Sequence, residues 1–145
     1  MDAEAAKRFA VERVEALFNR KEVDRVEEFV TPDFVNHEAW RGEDPGYEGF
    51  KLRLRRLHDA FPDFRLEVED VIAEGDLVAY RATVTGTHRG ALMGIPATNK
   101  SFRVQHMHFL RLREGRASEH WAVRDDLGML QQLGLVPRPG GRGGG

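Results

Sequence analysis

Apolar residues recur along this chain with two different periods, and the change from one to the other near Pro62 divides it into a helical first part and a sheet-forming second. Over Asp2–Arg20, Ala6, Phe9, Ala10, Val14, Leu17 and Phe18 fall at spacings of three and four with Glu, Lys and Arg between them. That pattern predicts an amphipathic helix. A short second helix is expected through Val23–Phe29, stopping before Pro32, because the residue ahead of a proline is held out of the helical region. VNHEAWRGEDPGYEG, rich in Gly, Pro and Asn, reads as a short strand followed by a loop. A third helix is expected over Gly46–Phe61, with Phe50, Leu54, Leu57 and Phe61 as its apolar stripe and Pro62 as its stop.

Beyond Pro62 the period becomes two. Phe64–Ala73, Leu77–Thr87, Ser101–Arg113 and Ala117–Val123 read as four strands, separated by Glu74-Gly75-Asp76, the connection Gly90–Lys100 and the turn Glu114-Gly115. Leu127, Leu130 and Leu133 mark a last helix that ends at Gly134. The chain thus reads as one domain over residues 1–136, followed by a flexible Gly/Arg/Pro tail, PRPGGRGGG, at 137–145. Helices first and antiparallel strands afterwards predict the α+β class. The expected architecture is a curved antiparallel sheet wrapped around the N-terminal helices as a cone, an α+β barrel with an internal pocket.

Composition narrows the function. The chain of 145 residues is 41% hydrophobic and 32% charged, as expected for an ordinary soluble domain with a core. Its 22 Lys and Arg stand against 24 Asp and Glu, for a net charge of −2, which argues against nucleic acid or an anionic membrane as a partner. With no cysteine, disulfides, zinc–thiolate sites and thiol nucleophiles are excluded. The charged N-terminus MDAEAAKRFAVERVEALF lacks the apolar segment of a signal peptide, and no run approaches the ~18 apolar residues of a membrane span. The expected location is cytoplasmic.

The turn Glu114-Gly115 allows the facing of side chains to be worked out. If it is a two-residue hairpin turn, Arg113 pairs with Arg116, His108 with Trp121 and His106 with Val123. Val104, His106, His108 and Leu110 then share a face with Glu119, Trp121, Val123 and Asp125, and this mixed face is the expected pocket lining. A bulge, for which Gly115 is the natural place, would scatter the set. Met107 and Phe109 fall on the opposite face, against a helix or a partner subunit.

Within EHWAVRDD, one aspartate is suited to cap the last helix by accepting backbone N–H groups, which leaves one to spare. Alternation puts Asp125 on the pocket face, where desolvation by Trp and Val would raise its pKa and fit it for acid/base work. His106 and His108 project together. They could bind a metal with Asp125 or Glu119, hydrogen-bond a substrate or Asp125, or be structural. His37 either lines the pocket mouth or is exposed, Trp121 is pocket wall or core, and Trp40 and Tyr47 are candidates for a lid. Lys51, Arg53, Arg55 and Arg56 read as a solvated helix face. There is no nucleotide-binding glycine pattern and no Gly-x-Ser-x-Gly elbow.

Thr85-Gly86-Thr87-His88-Arg89-Gly90, Gly94-Ile95-Pro96-Ala97-Thr98 and EGRASEHWAVRDDLGMLQQLG resemble the SnoaL-like polyketide cyclase (ester cyclase) family of the nuclear-transport-factor-2-like superfamily. The resemblance runs from the first helix to Gly134. It implies an α+β cone and an intramolecular aldol ring closure of a polyketide methyl ester, with Asp125 as acid/base and no metal or organic cofactor. The candidate catalytic residues are therefore Asp125, His106 and His108, and the candidate substrate-binding residues His37, Trp40, Tyr47, Glu119 and Trp121. The expected partners are a small hydrophobic carbonyl or ester compound and further copies of the chain, as a homodimer or homotetramer. The alternative is a non-catalytic small-ligand-binding or assembly module of the same fold.

Overall fold

The computed structural model describes residues 1–138. The part of the expected tail at 139–145 lies outside the described residues. Helix α1 (Ala3–Val14) starts at Asp2, whose carboxylate accepts the Ala5 N–H at 2.8 Å, and widens into a π turn over Glu15–Asn19. Asn19 then clasps the start of the sheet, donating to the Leu66 carbonyl and accepting the Leu66 N–H. A single 3₁₀ turn (Val23–Arg25) leads into α2 (Val26–Phe29), β1 (Val30–Asn36) and α3 (Tyr47–Ala60). Strands β2 (Arg65–Glu74), β3 (Leu77–Thr87), β4 (Ser101–Arg113) and β5 (Arg116–Arg124) follow, then α4 (Asp126–Gln132). The α+β class is borne out, and the four strands after Pro62 agree with the period-two segments to within one residue at each end. No helix among the described residues is long and apolar enough to cross a membrane.

The sheet runs β1-β5-β4-β3-β2. Strands β2 to β5 are antiparallel neighbours, but β1 joins the edge of β5 in parallel. This strand begins at Val30, ahead of the segment read as a strand, and it contains Pro32. An edge strand tolerates proline because no ladder partner needs its missing N–H. Helices α1 and α3 cover the concave face, where Val14, Leu17, Leu54, Leu66 and Leu110 are almost wholly removed from water, each contributing about 2 kcal/mol of transfer free energy.

The β4–β5 hairpin starts as its turn dictates. Glu114 (φ 51°) and Gly115 (φ 78°) both take positive φ, the two-residue turn whose twist suits antiparallel strands. Arg113 pairs with Arg116 and Leu112 with Ala117, and then the register slips so that Arg111 pairs with Glu119. The extra residue is Ser118, buried, with its hydroxyl donating to the Arg111 carbonyl at 3.2 Å. Everything beyond this bulge is turned over relative to the simple hairpin count. His120 now pairs with Leu110, Ala122 with His108 and Arg124 with His106, so His120 and Arg124 join His106 and His108 on the concave face.

The convex face carries Ile72, Met107, Phe109, Trp121 and Val123 around an open groove of about 680 Å³. Val123 is 76% and Ile72 70% exposed, so this face is apolar and uncovered.

The connection between β3 and β4 is clamped at both ends. Arg89 and Gly90 donate their N–H groups to the Ala60 carbonyl, and Gly90 lies so close to α3 that a Cβ there would be 2.2 Å from the Asp59 carbonyl oxygen. His88, wholly buried, accepts the Thr98 N–H on Nδ1 at 3.2 Å, and backbone bonds join His88 to Asn99 and Lys100. Between the clamps a tight turn at Leu92–Ile95 projects Leu92 and Met93 over the concave side.

Candidate functional site

Between the concave face, α3, α4 and this connection lies a cavity of about 430 Å³. Its walls are apolar: Phe50, Leu54 and Leu57 of α3, Phe61, Phe64, Leu66 and Phe102. Its polar groups gather towards β1, β4 and β5, where Asn36, His106, His108, His120 and Arg124 face it. Trp40, Glu43, Arg53, Arg56 and Asp126 also line it. Trp40, which is half exposed, has the Arg53 guanidinium 5.6 Å from its ring centroid. An apolar chamber of this size with a few convergent polar groups suits a small organic ligand.

The polar groups form a line. His106 Nδ1 lies 3.3 Å from His108 Nε2, His108 Nδ1 lies 2.8 Å from His120 Nε2, and His120 Nδ1 lies 2.9 Å from Asn36 Oδ1. Tyr80 stacks on His108, with ring centroids 4.9 Å apart and planes 10° from parallel. Burial and the nearby Arg124 guanidinium lower the His106 pKa to about 3. Burial, aided by neighbouring cationic groups including Arg13 and Arg124, holds His108 and His120 well below the ordinary imidazole value. All three rings are therefore neutral at pH 7.

Two arginines make this end of the molecule electropositive. Arg124, largely buried, bonds to the Glu38 carboxylate at 3.3 Å. Arg13 of α1 is 0% exposed and sits over the Phe50 ring, 5.1 Å from its centroid. Arg13 and the Tyr80 hydroxyl influence each other electrostatically. Yet neither the three guanidinium nitrogens nor that hydroxyl makes a hydrogen bond of acceptable geometry among the described residues. A guanidinium buried without a carboxylate favours negative charge nearby.

The structure separates the expected site residues. His106, His108 and Trp40 line the cavity. Glu119 and Trp121, expected on the same face, point to the other side because of the Ser118 bulge. They meet His37 there, which stacks on Trp121 at 4.6 Å and contacts Glu119 at 3.2 Å, while Arg111 holds the second carboxylate oxygen at 2.9 Å. Tyr47, in the first turn of α3, packs beside Lys51 and is not part of the cavity wall.

Asp125 is placed differently again. The face predicted for it is corrected as well, since it is exposed and caps α4, accepting the Gly128 N–H at 2.8 Å. Its neighbour Asp126 lines the cavity instead. The basic stretch of α3 is split in the same way: Arg53 and Arg56 reach the cavity, while Lys51 pairs with Glu27. Sequence reasoning missed Asn36, His120, Arg124, Asp126 and Arg13. Three of these lie within EHWAVRDD and were displaced only by the bulge. Among the described residues no group of three or more His, Asp or Glu side chains is disposed to hold a metal ion, and the imidazoles bond to one another instead of converging.

Comparison with known proteins gives a consistent picture. The SnoaL-like polyketide cyclase profile matches residues 8–133. The chain is 31% identical to aklanonic acid methyl ester cyclase DnrD of Streptomyces peucetius, over 86% of this chain and 88% of that protein. It is 29% identical to nogalonic acid methyl ester cyclase of Streptomyces nogalater, over 81% and 89% respectively. Among solved structures, TsrD of Streptomyces laurentii superposes with a TM-score of 0.85 at 25% identity, covering 94% of this chain and 99% of that one.

Proposed function

The chain belongs to the SnoaL-like polyketide cyclase family, and from that premise we propose that it is a cofactor-independent acid/base enzyme closing a ring within a small, largely apolar carbonyl or ester compound by intramolecular aldol addition, without loss of water. The observation that carries this reading is the cavity of about 430 Å³ lined by both a neutral imidazole, His106, and the carboxyl group of Asp126. Before substrate enters, burial and Arg124 keep the His106 lone pair unprotonated. The enolate charge that develops beside Arg124 offsets that cation, so the ring takes the proton from a carbon between two carbonyls as the enolate forms. The enolate carbon then adds to a second carbonyl of the same molecule. One carbon–carbon bond forms, one carbonyl π bond breaks, and the proton taken from carbon ends on the new alkoxide, so product and substrate are isomers. Asp126 carries that proton across, accepting it from the His106 imidazolium and giving it to the new alkoxide. The acid/base part that the family resemblance attaches to Asp125 thus passes to the neighbouring residue, because Asp125 is occupied with its helix.

The test is turnover on polyketide methyl esters, the compound class in the names of the two relatives. A product of unchanged mass should appear, at a rate unaffected by a strong metal chelator. His106→Gln should lower kcat by about 10²- to 10⁴-fold, the usual contribution of a positioned acid or base. Ligand binding without turnover in the unaltered protein would overturn the enzyme reading and leave the binding module.

A further inference from the structure

We infer that Asn36 is a positioning residue: through the line of three imidazoles it fixes which nitrogen of His106 carries a proton, and makes His106 Nε2 the proton-accepting atom of the cavity. The argument starts at the amide. The Glu38 N–H donates to Asn36 Oδ1 at 3.0 Å, which fixes that atom as the oxygen, since an NH₂ group there would meet another donor. His120 Nδ1, 2.9 Å from the same oxygen, must then be its protonated nitrogen. His120 is neutral, so its Nε2 is a lone pair and accepts from His108 Nδ1 at 2.8 Å. His108 is neutral too, and its Nε2 accepts from His106 Nδ1. The last free atom, His106 Nε2, carries a lone pair, has no hydrogen bond to protein among the described residues, and belongs to a ring that faces the cavity.

Each ring uses Nδ1 towards Asn36 and Nε2 towards the cavity, so one amide sets the direction of the whole line. The strand arrangement holds this end in place. Asn36 closes β1, pairs in register with His120, and has its own N–H bonded to the Pro45 carbonyl. When His106 Nε2 takes a proton, the added charge stays on His106 beside the cavity, because burial and the nearby guanidinium groups disfavour charge on His108 and His120. An imidazole locked as the Nδ1–H form is the less common tautomer of free histidine, so the pattern is distinctive.

This assignment deepens the acid/base reading and rests on it for its catalytic meaning, but its test needs no substrate. Long-range ¹H–¹⁵N NMR on histidine-labelled protein at pH 7 reports the tautomer of each ring, with single His→Gln variants for assignment. Nδ1–H is expected for His106, His108 and His120 together. Asn36→Asp, which keeps the acceptor, should preserve that pattern. Asn36→Leu should move His106 towards the Nε2–H form and lower kcat at least tenfold with KM little changed. An Nε2–H form of His106 in the unaltered protein would overturn the inference, and so would unchanged tautomers in folded Asn36→Leu. Should Asn36→Leu fail to fold, the spectrum of the unaltered protein decides alone. The expected tautomers in a protein without turnover would sink the proposed activity and leave the tautomer assignment standing.

Discussion

The Asp125 carboxylate lies against Gly128, accepting its N–H at 2.8 Å and filling the space a side chain there would occupy, since a Cβ at 128 would come within 2.2 Å of Asp125 Oδ2. Cap and glycine are therefore one device. Gly128→Ala should displace the carboxylate and Asp125→Ala should remove it, each costing about 1 kcal/mol by equilibrium unfolding. The double variant should cost little more than either alone, because both break the same contact.

The two aspartates should separate cleanly in kinetics. Asparagine caps a helix nearly as well as aspartate, so Asp125→Asn should leave turnover within about threefold and stability almost unchanged. Asp126→Asn, altering the carboxylate that faces the cavity, should reduce kcat by about 10²-fold or more. The reverse ranking would show that the helix cap moves into the cavity during the reaction.

Acid should destabilise this protein more steeply than its net charge suggests. His106, His108 and His120 have folded pKa values depressed below the unfolded value of 6.5, so the unfolded chain binds protons that the fold refuses. The stability from keeping them neutral is complete above about pH 6.5 and is lost as pH falls, until the folded pKa values are reached, about 3 for His106. Each ring contributes a slope of up to about 1.4 kcal/mol per pH unit, about 4 for the three together. Denaturant titrations between pH 7 and pH 4 measure this slope, and His108→Phe should reduce it by about a third.

Deleting Ser118 should leave the site's facing intact. The deletion removes the extra residue, so Arg111 stays opposite Glu119, Leu110 opposite His120 and His106 opposite Arg124, and both His120 and Arg124 remain on the concave face. Cooperative unfolding should survive, whereas inserting one residue after Ser118 would turn His120 and Arg124 outward and abolish it. Ser118→Ala, which loses only the 3.2 Å bond to the Arg111 carbonyl, should cost about 1 kcal/mol.

The convex face should join a second copy of the chain. Ile72, Met107, Phe109 and Val123 expose a contiguous apolar surface of a kind that monomeric proteins rarely leave open. Val123→Glu should shift the mass measured by light scattering towards that of one chain and leave the far-ultraviolet spectrum unchanged.

How far the sequence could be read follows from which forces act locally. Period-two alternation and turn chemistry are local, so β2 to β5 and the Glu114-Gly115 turn were legible almost to the residue. The parallel docking of β1 was not, because nothing within Val30–Asn36 says which strand it meets. His106 and His108 were legible as a pair because they sit two apart on one strand. The facing of Trp121, Glu119 and Asp125 was misread for a single reason. A bulge at Ser118 is stabilised by a hydroxyl-to-carbonyl bond across the hairpin, which leaves no mark in the residue pattern. Asn36 was invisible as a site residue, since its partner His120 lies 84 positions away.

The clamped connection between β3 and β4 has one more implication. Its ends are fixed by buried His88 and by the Ala60 carbonyl, whereas Leu92 and Met93, which overhang the cavity, take no part in the hydrogen bonds that join Asn36 to the imidazole line. The segment behaves as an interchangeable cassette, and selectivity and reactivity can drift apart on separate supports. A graft of new residues at 91–97 would alter which molecules are admitted, while the proton on each histidine ring stays where Asn36 puts it.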